Sequence, residues 1–290
     1  MRNNRINPET RDQAARLRAM VQGQASAPTT VAITSGKGGV GKTSLSINLS
    51  ICLAARRMNV VLLDADFGLA NADVMLNLPS RVNLSHVLSG RCELEEVIIP
   101  APGGFRLVPA ASGLMQMADL STFERHRLLE LLSIIERQAD LLVLDCGAGI
   151  SRNVITFAAA ADICLVVTTP EPTSITDAYA TIKVVSQESP ESRIGLVVNQ
   201  CESRTEAQET YQRVAGVANR FLGFAVEDFG YILSDDCMGL AVRQRMPLML
   251  RYPRSSSAAC ISAIANRMGR NLSRGQGPKG FLRRVASMFF

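Results

Sequence analysis

The stretch Ser35-Gly36-Lys37-Gly38-Gly39-Val40-Gly41-Lys42-Thr43-Ser44 constrains this chain more than any other. Before it, Thr30 to Thr34 is β-branched and apolar, which predicts a short buried strand. After it, Leu45, Ile47, Leu49, Ile51 and Leu53 run on without Gly or Pro and predict a largely buried helix. Strand, glycine loop and helix form the setting of a phosphate-binding loop. Glycines let the backbone turn tightly and bring its N–H groups to the phosphates. The helix N-terminus adds positive potential, Lys42 reaches the outer phosphates, and the Thr43 hydroxyl can ligate Mg²⁺. The bland alternative is a glycine turn, but G-x4-G-K-[ST] arises by chance in a chain this long only about one time in a hundred. The pattern predicts a nucleotide site.

At 290 residues with 47% apolar content, the chain can bury a core as one large α/β domain with appendages. Its seven cysteines are odd in number and scattered, with no C-x-x-C pair. Disulfide frameworks, zinc ribbons and thiol-ligated clusters are therefore poorly supported, and a reduced compartment is expected. The N-terminus carries arginines but no apolar core of a signal peptide, and no apolar run is long enough to span a membrane. Charge is unevenly placed. Asp236 is the last carboxylate; residues 237–290 carry +10, and residues 1–236 carry −5. Such asymmetry points to an anionic partner, membrane or nucleic acid.

In chain order, residues 1–22 read as a short helix offered to a partner, with a frayed terminus as the alternative, and 23–29 as a linker. Residues 30–270 read as the nucleotide-binding domain. Val60 to Leu63 is an apolar strand ending in Asp64-Ala65-Asp66, two carboxylates that can hold Mg²⁺ through water and orient an attacking water, or singly cap the next helix. Residues 83–98 predict two short helices around Gly90, 105–109 a strand and 121–138 an amphipathic helix. Leu141 to Asp145 is the next strand, and its terminal Asp145 stands where a Walker B carboxylate would. Three further β/α units predict a doubly wound, mostly parallel sheet with helices on both faces. Asn199, directly after an apolar strand, can read an adenine edge or simply cap a turn.

Residues 271–290 read as a basic linker and a terminal helix. Phe281, Leu282, Val285, Met288 and Phe289 share one face, flanked by Arg283 and Arg284. This basic amphipathic pattern predicts a weak, reversible membrane anchor; the alternative is a tail folded back on its own domain.

The loop Gly36-Lys37-Gly38-Gly39-Val40-Gly41-Lys42-Thr43, with its second lysine, resembles the deviant Walker A loop of the MinD/ParA ATPases. The body resembles that family through Asp64-Ala65-Asp66, Asp145-Cys146-Gly147-Ala148-Gly149 and Val197-Val198-Asn199. Asp12-Gln13-Ala14-x-x-Leu17-Arg18, the segment Asp64 to Val74 and the loop Asp145 to Ser151 are similar to the FlhG/FleN branch, the flagellar number and site regulators. The resemblance implies an ATP-dependent homodimer that hydrolyses ATP slowly. By position, Gly36 to Ser44 bind phosphates, Lys37 acts across the dimer, and Lys42 contacts phosphate. Thr43, Asp64 and Asp145 serve Mg²⁺, Asp66 orients water and Asn199 contacts adenine. Asp12, Gln13, Ala14, Leu17 and Arg18 are implied to stimulate the signal-recognition-type flagellar GTPase FlhF, and the C-terminal helix to bind the inner face of the cell membrane. Flagellar switch-complex proteins and a flagellar transcription activator are further implied partners. Cys146 stands where the branch usually has Thr, and Gln200-Cys201 where Arg is common. Competing classes are a MinD-type division-site ATPase, a ParA-type DNA-bound motor, a metal-cluster scaffold and a scaffold that binds ATP without hydrolysing it.

Overall fold

Every residue of β1 (Thr29–Ser35) is buried, as an uninterrupted apolar and β-branched run demands. The computed structural model describes residues 28–66, 71–78, 80–109, 122–271 and 280–289. In it β1 is the centre of an eight-stranded sheet ordered β3-β4-β2-β5-β1-β6-β7-β8. The others are β2 (Val60–Ala65), β3 (Ile99–Pro100), β4 (Arg106–Val108), β5 (Leu141–Ala148), β6 (Ile163–Thr168), β7 (Arg193–Cys201) and β8 (Glu227–Leu233). All neighbours are parallel except β3, which runs antiparallel to β4 at the edge. Sequence reasoning gives the parallel body and misses β3, a strand of two residues with too little pattern to read.

Alternation along β1 sorts its side chains between two layers. Val31 and Ile33 pack with α1 (Lys42–Ala54) and, further on, α9 (Asp236–Arg243), α10 (Leu248–Arg251) and α11 (Ser256–Asn271). Ala32 faces the other layer. That layer holds α3 (Leu84–Leu88), α4 (Leu94–Val97), α5 (Thr122–Arg137), α6 (Arg152–Ala160), α7 (Pro172–Glu188) and α8 (Arg204–Leu222). The short α2 (Ala72–Met75) follows β2. Parallel strands bring the residues at their carboxyl ends together, so the loops after β1, β2 and β5 converge.

α6 is the element that sequence reasoning passes over. Val154 to Ala160 are all buried, and a short, mostly apolar run carries no helical period to recognise. It matters because the C-terminal helix α12 (Phe281–Phe289) lies against α5 and α6. Phe281 and Val285 are fully buried, and the Phe281 ring sits 6.0 Å from that of Phe157 on α6. The start of α12 is fixed by Glu136, whose Oε1 accepts the Phe281 N–H at 2.9 Å, a carboxylate at a helix N-terminus. Gly280 eases that approach, because a Cβ would crowd the same oxygen at 3.0 Å. Arg284 donates to the Ala160 carbonyl at 2.6 Å and to Asp162 at 2.7 Å, while Asp162 also accepts the Thr30 N–H and hydroxyl. Of the expected lipid-facing set, Phe281 and Val285 point into the domain, Met288 packs partly against it, and Arg283 is exposed. The side chains of Leu282 and Phe289 lie outside the described residues, as do Asp12, Gln13, Ala14, Leu17 and Arg18. The structure therefore holds the fold-back arrangement that the sequence left open.

Candidate nucleotide site

The loop after β1 is shaped by backbone that only glycine takes easily. Gly39 and Gly41 have φ of 78° and 90°, the left-handed region. Gly36 is needed for space, since a Cβ would meet the Asp177 carbonyl oxygen at 2.2 Å. α1 then begins at Lys42, three residues before the first residue of the predicted helical stretch, so the helix N-terminus opens directly on the loop. Lys42 is buried at the foot of the loop. Burial pulls its pKa down, and Asp145 and Asp66 oppose that pull.

Asp64 and Asp145 are partners in the β2–β5 register, so their carboxylates enter the site from adjacent strands. Each is 1% exposed, which leaves almost no water to solvate its charge. Burial, and for Asp64 the nearby Asp145, raises Asp64 to about 7. Burial raises Asp145 to about 6 against the opposing hydrogen bonds of Thr43 and Ser46 and the charge of Lys42. Asp64 accepts backbone N–H groups from Asp66, Asn71 and Ala72 at 3.2 Å each. It thus ties the site to the start of α2. The Ser46 hydroxyl donates to Asp145 at 2.9 Å. Two buried carboxylates with raised affinity for protons, beside a threonine hydroxyl and a lysine, form a donor set that suits a hard divalent cation with phosphate oxygens.

Asp66 is half-buried. A Cβ on Gly147 would lie 3.3 Å from its Oδ1 and 3.3 Å from Val154 of α6, so this glycine lets the β2 and β5 loops close on each other. Cys146 is fully buried, and burial pushes its thiol far up, which leaves it no nucleophilic role.

Lys37 lies outside this cluster. Its ammonium donates to Glu171 at 2.8 Å and to Thr173 at 3.1 Å, at the turn into α7. The Lys37 hydrogen bond and charge hold the Glu171 carboxyl below its ordinary value. The neighbouring Thr169 hydroxyl is buried without a hydrogen-bond partner, so this turn is under-satisfied as it stands. Sequence reasoning did not single out Glu171, Thr173 or Ser46. The two prolines around Glu171 mark a rigid turn, and a serine one helical turn after Lys42 on a buried helix signals a polar task.

Beside the loop lies a cavity of about 450 Å³, lined by Gly39, Gly41, Asn199, Gln200, Asp235, Met238, Gly239 and Arg243 among others. Its size and position fit a purine base and ribose. Asn199 spans it and the loop: its amide donates to the Val40 carbonyl at 2.7 Å, and its oxygen accepts the Gln200 N–H. Gln200 has a φ of 58°, a left-handed turn that aims this amide back at the loop. Asp235 caps α9 through Cys237 N–H and reaches α11 through Ser256 and Ser257. Burial opposes its ionisation, and these donors outweigh the burial, bringing it to about 2.

A left-handed glycine loop, a buried lysine and two strand-end carboxylates on a parallel sheet define a P-loop nucleotide hydrolase. The family model described as AAA domain matches residues 28–194. The chain is 41% identical to the antiactivator FleN of Pseudomonas aeruginosa over 238 residues, 82% of this chain and 85% of that protein. It is 34% identical to the flagellum site-determining protein YlxH of Helicobacter pylori over 262 residues, 88% of each. The septum site-determining protein MinD of Pyrococcus horikoshii, solved with Mg-ADP, superposes with a TM-score of 0.68 at 22% identity, over 85% of this chain and 98% of that one. The chain belongs to the MinD/ParA-type ATPases.

Proposed function

We propose that this chain is an ATP-driven, dimerising switch that sets flagellar number and placement. The observation that carries the reading is similarity along most of the chain to two flagellar regulators, FleN and YlxH. In the site, Lys42 and the loop amides of Gly36 to Ser44 hold the phosphates. Thr43, Asp64 and Asp145 hold Mg²⁺, which supplies charge neutralisation at the phosphoryl group. Asp66 accepts a proton from, and orients, the attacking water, and Asn199 fixes the loop against the base cavity. Lys37 leaves Glu171 to serve the partner's phosphates in the dimer, delivering a cation where charge develops. Loss of phosphate release in Asp66→Asn, against steady wild-type turnover, tests the enzyme against a scaffold that only binds ATP.

The output side follows from α6. Val154, in the first turn of this helix, lies beside Gly147 and the Asp66 loop, and Phe157, three residues on, holds Phe281. Closure of the loops around ATP shifts this short helix as a packed unit, and Phe281 moves with it. Burial of Phe281 and Val285 stabilises the docked helix by roughly 1.5–3 kcal/mol each. Membrane binding by α12 must offset that sum, so lipid engagement is conditional on the switch. Residues 1–22 carry the Asp12-Gln13-Ala14 element that stimulates an FlhF-type GTPase. The functional test is complementation: in a polar flagellate lacking its own FleN-type regulator, the gene restores a normal flagellar number, and unchanged over-flagellation contradicts the assignment. Removing residues 279–290 leaves ATP binding intact and abolishes flotation with anionic vesicles; undiminished flotation rules out the anchor.

A further inference from the structure

Among the polar side chains that line the base cavity, Asn199 and Asp235 are spent on the protein itself. Asn199 is 8% exposed, and its amide bridges the Val40 carbonyl and the Gln200 N–H. A Cβ on Gly41 would lie 2.4 Å from the Asn199 nitrogen, so the loop closes directly on it. Asp235 uses its carboxylate on the Cys237 N–H, the Ser256 hydroxyl and the Ser257 N–H. Gln200 and Arg243 stand differently. Both are exposed, and neither side chain has a hydrogen-bond or ion-pair partner among the described residues. Gln200 holds a left-handed φ of 58°, uncommon for a residue with a side chain, where the chain turns off β7 beside the cavity. Helical side chains lean toward the amino end of their helix, and Arg243 leans back over Gly239, one turn earlier. Its Nη1 lies 3.7 Å from where a Gly239 Cβ would stand. Glycine weakens a helix interior, and here it leaves a shelf on which a planar cation rests at the cavity wall.

Resting on the assignment of the base to this cavity, we propose that Arg243 and Gln200 divide purine recognition between them. The Arg243 guanidinium stacks on the ring face, and the Gln200 amide reads the adenine edge. A guanidinium is flat, delocalised and weakly hydrated, so it stacks on an aromatic face far better than an ammonium does. Stacking is blind to which purine is present. The amide is not: its oxygen accepts from the adenine N6 amino group while its N–H donates to N7. Guanine presents acceptors at both positions and cannot match the pair. Affinity for the base and choice of base thus fall on two residues from two elements, the turn after β7 and the end of α9. Asn199 is the strut beneath them, holding the loop to the same turn.

Calorimetric titration of the full-length protein with ADP, GDP and pyrophosphate, each with Mg²⁺, tests both roles. Arg243→Ala weakens ADP and GDP by the same factor, about five- to tenfold, and leaves pyrophosphate unchanged; Arg243→Lys does not restore the loss. Gln200→Ala lowers the preference for ADP over GDP by about tenfold. Recovery by lysine, or an equal loss for pyrophosphate, makes Arg243 a charge on the phosphates and overturns the stacking role. Equal losses of ADP and GDP in Gln200→Ala overturn the edge reading. Met238→Trp, which fills the cavity, separates these failures from a misplaced base. ADP bound as tightly as by wild type would put the base elsewhere and remove the cavity assignment together with the proposal. Weakened ADP in Met238→Trp, beside Arg243 and Gln200 variants that bind as wild type does, would remove the proposal alone.

Discussion

The phosphate loop and the docked C-terminal helix differ in what fixes them. The loop is held by local necessity: left-handed Gly39 and Gly41, a crowded Gly36 and a buried Lys42 leave few other shapes. α12 is held by a remote pocket assembled from Glu136, Phe157, Ala160 and Asp162. In the proposed function, chemistry belongs to the first and a movable output to the second. A segment fastened by two apolar anchors and one half-buried ion pair can be released for a few kcal/mol, whereas the loop cannot be rearranged without losing the fold around it.

Four perturbations separate the two regions. Lys42→Ala is the largest: removing the buried cation lowers phosphate release by about a hundredfold or more, while amide protection in 281–289 without nucleotide is unchanged. If protection fell as well, the loop and the helix would not be separable. Next is pH, acting on Asp64 and Asp145. Their folded pKa values, about 7 and about 6, lie above the ordinary carboxylate value, so the folded state holds these protons more tightly than the unfolded chain. Stability of the nucleotide-free protein therefore falls as pH rises from about 4 through about 7, then levels. Calorimetry should show a Tm lower by several degrees at the upper end, and Mg-ADP should flatten the slope.

Asp162→Asn comes third. It removes the charge opposite Arg284 without altering α12, weakens docking by about 1–2 kcal/mol, and raises ADP-state vesicle binding about five- to thirtyfold at unchanged turnover. Vesicle binding that stays at the wild-type level would detach the ion pair from the output. Glu171→Gln is the smallest. The Lys37–Glu171 pair is exposed, with side chains 36% and 56% accessible, so freeing the lysine lowers the ATP concentration for dimerisation by no more than about fivefold. Analytical ultracentrifugation reads that shift, and a rise in the required ATP would reverse the role given to Glu171.

The same contrast explains what the sequence makes legible. The loop announces itself because its geometry is written in adjacent residues, and Asp64 and Asp145 follow because strand-end carboxylates recur at fixed points of the β/α alternation. Lys37 is legible as a second lysine, yet its partner Glu171 lies 134 positions away and only folding joins them. α12 shows its amphipathic face in nine residues, but the surface covering that face is α6, whose buried run hides its own helical period. Periodicity reports that a face needs covering and never by what.

The central claim is that nucleotide state decides whether α12 is docked. Hydrogen exchange of the backbone amides of residues 281–289, in full-length Asp66→Ala protein with Mg-ATP and with Mg-ADP, addresses it most directly. The account predicts protection with ADP and exchange at least about tenfold faster with ATP, before any vesicle is added. Equal protection in the two states, with ATP-dependent vesicle binding intact, would contradict it.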